Sequence, residues 1–113
     1  MRRAPSRGDI LDLRLYPTGK RTAIHLLVLV LSPAAFNALG TVLVCPVMTI
    51  DESHRTHGFA VRVEDTNGTT LEGIVQCHRL RTISLPEVQY EVRGKAPRET
   101  MQDVLARVRT LVS

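Results

Sequence analysis

The side chains that could do chemistry in this chain are four histidines and a set of cations that is almost entirely arginine. The histidines are His25, His54, His57 and His78. An imidazole titrates near neutrality, so it can accept or donate a proton under ordinary conditions. Lysine and arginine together number 15 against 11 acids, and only Lys20 and Lys95 are lysines. A guanidinium pairs bidentately with phosphate, so the arginine excess suits a phosphate-bearing partner; plain solubility charge is the alternative.

Other chemistries are disfavoured. Cys45 and Cys77 lie far apart without a CxxC partner, which gives neither a zinc site nor a disulfide framework. No carboxylates cluster at metal-ligand spacing, which argues against a two-metal nuclease, and no glycine loop of the P-loop kind is present. With no Trp, two Tyr and two Phe, the chain lacks the exposed rings on which an RNA-recognition sheet stacks bases.

The elements that must position these groups are mostly strands. His25 opens the run His25–Met48, in which Leu26–Leu31 and Thr41–Cys45 are apolar without alternation, the pattern of strands buried on both faces. Between them Ser32 reads as an N-cap, Pro33 as the first helical position and Gly40 as the closing cap of a short helix. Upstream, Asp9–Leu15 alternates, with Leu11, Leu13 and Leu15 on one face and Asp12 and Arg14 on the other. Residues 1–7 read as a loose basic arm, and Tyr16–Arg21 as a loop carrying two cations.

Downstream, 48–57 is polar and irregular. Gly58–Glu64 alternates into the turn signal Asn67-Gly68, and the strand returns through Gly73–His78 towards Ile83, with Val75 and Cys77 on one face and Gln76 and His78 on the other. Leu85–Gly94 is weakly patterned, compatible with a short strand or a helical turn. After Pro97 a helix carries Met101, Val104, Leu105, Val108, Leu111 and Val112 as its apolar stripe, read as core or dimer surface. At 113 residues this is one α+β domain spanning 1–113, mostly β: a small antiparallel barrel with a short helix between strands and a C-terminal helix. The basic start is not followed by a signal-peptide core and no apolar run is long enough to span a bilayer, so the expected location is cytoplasmic.

Several strings together resemble one family, the MazF/PemK/Kid-type toxins of bacterial toxin–antitoxin pairs. They are Arg7–Ile10, Tyr16–Gly19, Val30–Asn37 with its Ser-Pro-Ala-Ala-Phe-Asn, Cys45–Val47, Arg55–Val61, Gly73–Val75, Leu80–Ile83 and Val104–Arg107. The resemblance covers nearly the whole chain. It implies an SH3-like barrel, a homodimer binding RNA across its interface, and a cognate antitoxin whose disordered tail folds into the same groove. It also implies an endoribonuclease that needs no cofactor or metal, in which the ribose 2′-hydroxyl attacks its own phosphate.

The family's usual catalytic residues are replaced here. Its Arg-Pro pair before the second strand reads Leu26-Leu27, and its Thr after Pro-Val reads Met48. An Arg-Cys-Asp string reads Gln76-Cys77-His78, and a loop His-Glu-Gln reads Lys20-Arg21-Thr22. Placed on the family's groove, the candidate catalytic residues are His78, His25 and Thr49. The candidate RNA contacts are Lys20, Arg21, Arg55, Gln76, Arg79 and Arg81, with His54 and His57 in the same loop as Arg55. Each has a plainer reading as a solvated or boundary residue. Two alternatives to the endoribonuclease stand: a catalytically degenerate member that only binds RNA or antitoxin, motivated by Leu26 and Met48, and a gyrase-targeting toxin, whose Trp-containing ending is absent here.

Overall fold

A computed structural model describes residues 3–16, 19, 21–48, 60–64 and 72–112. Their elements run β1 (Asp9–Leu15), β2 (Ile24–Val30), α1 (Ala34–Asn37), β3 (Thr41–Met48), β4 (Ala60–Glu64), β5 (Glu72–Gln76), β6 (Arg81–Ser84), a single 3-10 turn (Leu85–Glu87), β7 (Gln89–Lys95) and α2 (Arg98–Val112). All strand pairs are antiparallel, in the order β4-β5-β3-β2-β1-β7, with β6 also pairing β3. This is the mostly-β half-barrel with a C-terminal helix that the sequence implies.

Two apolar clusters explain why β1, β2 and β3 are so rich in Leu and Val. On the inner face, Leu11, Leu13, Val28, Val30, Val42 and Val44 form one cluster, with Ile83, Leu85, Val88 and Tyr90 packed against it. The 3-10 turn joins β6, paired to β3, with β7, paired to β1, so the sheet curls round this cluster. On the outer face, Ile10, Leu29, Leu31 and Cys45 pack with Val61, Val63 and Val75 of β4 and β5 and with Met101, Val104 and Val108 of α2. A strand between two cores has no face to give to water, and continuous apolar runs follow. Met101, Val104 and Val108 carry the buried part of the α2 stripe, whereas Leu111 and Val112 at its end are exposed.

The structure departs from the sequence reading in several places. Ser32 does not cap α1; its hydroxyl donates to Asn37 Oδ1 at 2.5 Å and accepts from the Leu43 N–H at 2.9 Å. The loose arm does not extend to Pro5–Arg7. Asn37 Nδ2 donates to Pro5 O at 2.7 Å, Ser6 N–H to Asp9 Oδ2 at 2.8 Å and Arg7 Nε to Leu31 O at 2.6 Å. Leu85–Gly94 holds both the helical turn and a strand, and β7 is seven residues long. Finally, β2 is buried on both faces only from Val28 onward; Ile24 and His25 are exposed, and Leu26 and Leu27 half-buried.

Gly40 does end the α1 turn. Its φ of +101° lies in the region that only glycine adopts cheaply, and its carbonyl accepts from the Leu85 N–H at 2.8 Å, tying the turn to the barrel closure.

Candidate functional site

The half-buried start of β2 matters because β3 leaves it. The β2–β3 register runs from Val30↔Val44 to Val28↔Pro46, after which β3 pairs with β5 through Val47↔Val75 and Met48↔Ile74. The Leu31 N–H bonds Leu43 O at 2.8 Å, so by antiparallel alternation Leu29–Cys45 is a hydrogen-bonded pair and Val28–Pro46 is not. Pro46, which has no N–H, therefore sits in β3 without costing β2 a bond. Beyond it a groove of about 370 Å³ lies between His25–Leu27 of β2 and Pro46–Met48 of β3.

A bulge supplies the groove's cation. The pairs Val47↔Val75 and Val44↔Arg81 leave Cys45 and Pro46 facing Gln76–Leu80, two residues against five. The excess folds into a turn closed by the Arg79 N–H on Gln76 O at 3.0 Å, and the Cys45 thiol donates to Cys77 O at 3.7 Å. Bulges of this kind interrupt a ladder and re-aim a side chain. Here Arg79 is exposed and lines the groove with His25, Leu26, Leu27, Pro46, Val47 and Met48.

The groove's floor depends on a close approach. A Cβ on Gly73 of β5 would lie 2.6 Å from Val47 Cγ1 and 2.9 Å from Met48 O. Only glycine lets β5 come this near to the groove-lining end of β3.

His25 is held from the β1 side. Its Nδ1 lies 3.0 Å from Asp12 Oδ1, and Asp12 Oδ2 accepts from Arg93 at 3.4 Å. Asp12 is 7% exposed although alternation would place it on the solvent face, because β1 runs between β2 and β7. Arg93 is the extra residue of a β7 bulge, since Ile10 and Leu11 face Gly94 and Val92 in turn. Beside this trio Arg14 and Glu91 form a second, exposed pair at 3.5 Å. The sequence reading did not connect Asp12 and Arg93 with His25. The available signal was an acid inside Ile10–Leu15, which cannot be buried without a cationic partner.

Of the candidates, the groove gathers His25 and Arg79, together with Leu26 and Met48, the two replacements that the resemblance singles out. His78 is exposed in the turn just before Arg79 and stands outside the groove's lining. Gln76 ends β5 with 6% exposure, buried like Val75 and Cys77 rather than open like His78. Arg21 and Arg81 are exposed but do not line the groove. Thr49, Lys20 and Arg55, with His54 and His57, lie outside the described residues.

A larger concavity of about 600 Å³ lies between Arg14–Tyr16, Ile24 and Pro86–Gln89. It holds neither an imidazole nor a thiol, and its charged groups, Arg14 and Glu87, oppose each other. The smaller groove differs in that both an imidazole, His25, and a guanidinium, Arg79, line it. No helix among the described residues is long and apolar enough to cross a membrane.

Burial pushes the Cys45 thiol up from its ordinary 9.0 to about 12, with the neighbouring Cys77 adding to the effect. Burial likewise raises Cys77, to about 11, against the lowering influence of Arg107. Both cysteines are buried and free. Thiols held protonated in this way are poor nucleophiles, which removes them from the candidate chemistry.

Comparison with known proteins agrees with the fold and with the resemblance. The chain is 33% identical over 109 residues to the endoribonuclease PemK of Escherichia coli, covering 95% of this chain and 81% of that protein. Among solved structures it superposes on MazF of Deinococcus radiodurans with a TM-score of 0.77 at 24% identity, over 96% of both chains. It superposes equally, with a TM-score of 0.77 at 25% identity over 97% and 96% of the two chains, on a MazE–MazF structure from the same organism. An endoribonuclease in complex with its cognate antitoxin, from a mycobacterial species, gives 0.74 at 22% identity over 96% and 95%. The family model for the PemK-like, MazF-like toxins matches residues 6–112, and to that family of type II toxin–antitoxin systems this chain belongs.

Proposed function

We propose that the protein is a metal-independent endoribonuclease toxin, active as a homodimer in the cytoplasm and neutralised by a cognate antitoxin that occupies its RNA groove. The observation that carries this reading is that His25 and Arg79 line one groove, the opening between β2 and β3. His25 Nε2 takes the proton of a ribose 2′-hydroxyl. The 2′-oxygen then forms its bond to phosphorus while the P–O5′ bond breaks, leaving a 2′,3′-cyclic phosphate and a 5′-hydroxyl that takes its proton from water. Arg79 meets the extra negative charge of the pentavalent phosphorane. Proton transfer and charge stabilisation thus both come from side chains, in a chain whose net charge of +4 favours a polyanion.

The relatives support the partners: the similar PemK is named an endoribonuclease, and two of the similar structures are complexes with an antitoxin. The test is labelled RNA with purified protein in EDTA. Cleavage is expected, and His25→Ala and Arg79→Ala should each reduce it by at least about 100-fold, the lower end for general acid–base groups. Folded wild-type protein that leaves RNA intact overturns the reading, as does full activity in both variants.

A second reading is favoured by Leu26 and Met48, which line the groove where the family keeps polar catalytic groups. Here the protein binds RNA or antitoxin without cutting. It predicts salt-sensitive RNA binding with no products, and activity gained on Leu26→Arg with Met48→Thr. Cleavage by the wild type that the double substitution does not improve rejects it.

A further inference from the structure

We propose that Asp12 is a positioning residue. It holds His25 as the Nδ1–H tautomer with the Nε2 lone pair open to the groove, and Arg93 fixes which oxygen of Asp12 does so. The inference rests on the reading of His25 as the proton acceptor, and it explains how an exposed imidazole at a strand end acquires one defined role.

Asp12 is buried and paired with Arg93, and an ionised carboxylate only accepts hydrogen bonds. The nitrogen 3.0 Å from Asp12 Oδ1 must therefore carry the hydrogen. That leaves Nε2 as the acceptor when the ring is neutral, the form a general base requires. Free histidine favours the opposite tautomer, so the carboxylate reverses the intrinsic preference. The other oxygen, Oδ2, is committed to Arg93 at 3.4 Å. The arrangement is assembled across three strands: Asp12 from β1, His25 from β2 at a diagonal of the Arg14↔His25 and Asp12↔Leu27 pairs, and Arg93 from the β7 bulge. The neighbouring charges, Arg14 and Glu91, engage each other and leave the Asp12 oxygens to His25 and Arg93.

Arg93 makes the proposal sharply testable through Asp12→Asn. An amide has one acceptor and one donor end. With Arg93 offering only donors, the carbonyl oxygen must turn to Arg93 and the NH₂ to His25. The NH₂ then donates to Nδ1 and drives the hydrogen to Nε2, so the base becomes a donor facing the substrate. Removing the guanidinium as well, in Asp12→Asn with Arg93→Met, frees the amide to rotate and accept from Nδ1 again.

The experiment is nitrogen NMR of the imidazole rings in RNA-free protein at a pH where histidine is neutral, with His25→Gln assigning the signals. Wild type should show a protonated Nδ1 and an unprotonated Nε2 for His25, Asp12→Asn the reverse, and the double variant a return towards wild type. In the cleavage assay Asp12→Asn should lose about 10²–10⁴ in kcat with KM within about twofold, the cost of a wrong tautomer and a lost base.

A wild-type His25 protonated on Nε2 overturns the inference whatever the RNA assay gives, and remains decisive if Asp12→Asn does not fold. So does an Asp12→Asn protein that keeps the Nδ1–H form. A tautomer that switches while cleavage is unchanged supports the hydrogen-bond assignment and instead refutes His25 as the base, so the two failures are told apart.

Discussion

Replacing Asn37 by Ala should cost about 3 kcal/mol of folding stability, although the residue lies in a four-residue helix that contributes little by itself. Asn37 is 1% exposed and makes three hydrogen bonds: it accepts from Ser32 Oγ at 2.5 Å and donates to Pro5 O at 2.7 Å and Ser32 O at 3.0 Å. Each net bond contributes about 1 kcal/mol, and truncation leaves the Pro5 and Ser32 carbonyls without that donor. Against a total stability of about 5–15 kcal/mol for a small domain, this should lower the melting temperature by about 10–20 °C. Ser32→Ala removes the bond to Asn37 and the acceptor for the Leu43 N–H, about 2 kcal/mol. The double variant should lose about 1 kcal/mol less than the sum, because one bond is shared. Asn37→Asp separates hydrogen bonding from shape. It keeps the volume but turns a carboxylate towards two carbonyl oxygens, and should be worse than Ala. Urea unfolding of the four proteins measures all of this. An Asn37→Ala loss below about 1 kcal/mol, or an Asp variant as stable as wild type, refutes the claim that the Asn37 hydrogen bonds to Pro5 and Ser32 contribute this stability.

The buried thiols predict alkaline lability. Because Cys45 and Cys77 keep their protons to about 12 and about 11 when folded but lose them near 9.0 when unfolded, their contribution is intact below about pH 9 and falls as pH rises through those values. The slope is at most about 1.4 kcal/mol per pH unit for each thiol. Urea midpoints between pH 8 and 11 should fall less steeply in the Cys45→Ala, Cys77→Ala double variant; parallel curves contradict the assignment. Gly73→Ala should cost about 1–3 kcal/mol by overpacking, since the new methyl meets the Met48 carbonyl as well as the Val47 side chain. A thermal melt unchanged from wild type would show that β5 can shift without cost.

The elements were readable where one strand or helix declares its own burial. The bounds of β1, the two apolar runs and the α2 stripe follow from local pattern, the small barrel follows from their order, and the family from that order together with short strings such as Ser32–Asn37. What escaped the sequence depends on partners far along the chain. Asp12 looks like a solvent-facing residue until β7 is known to lie beside β1, and Gln89–Lys95 has too little apolar alternation to announce that strand. The Asp12–Arg93 contact joins residues 81 apart. Gly73–His78 reads as one uninterrupted strand, yet the ladder breaks at Gln76. The bulge follows from β3's pairing with both β5 and β6, and nothing local at Cys77 or His78 marks it.

The groove does not require the arginine and threonine that the resemblance leads one to expect at positions 26 and 48. The opening between β2 and β3 is made by backbone: β2 ends its pairing at Pro46, β3 turns to β5, and Gly73 allows the close approach that holds Val47 and Met48 in place. None of these features depends on an arginine at position 26 or a threonine at position 48. Substitution there changes the lining without closing the groove, and Leu26 shows how: it packs against the inner cluster while facing the opening, a placement an arginine could share only by extending its head group outward. Under the proposed function, the charge and the proton acceptor would come from neighbours that the same backbone brings to the groove lining, Arg79 from the bulge and His25 from the adjoining strand position. A groove shaped by the backbone keeps its opening whichever side chains line it.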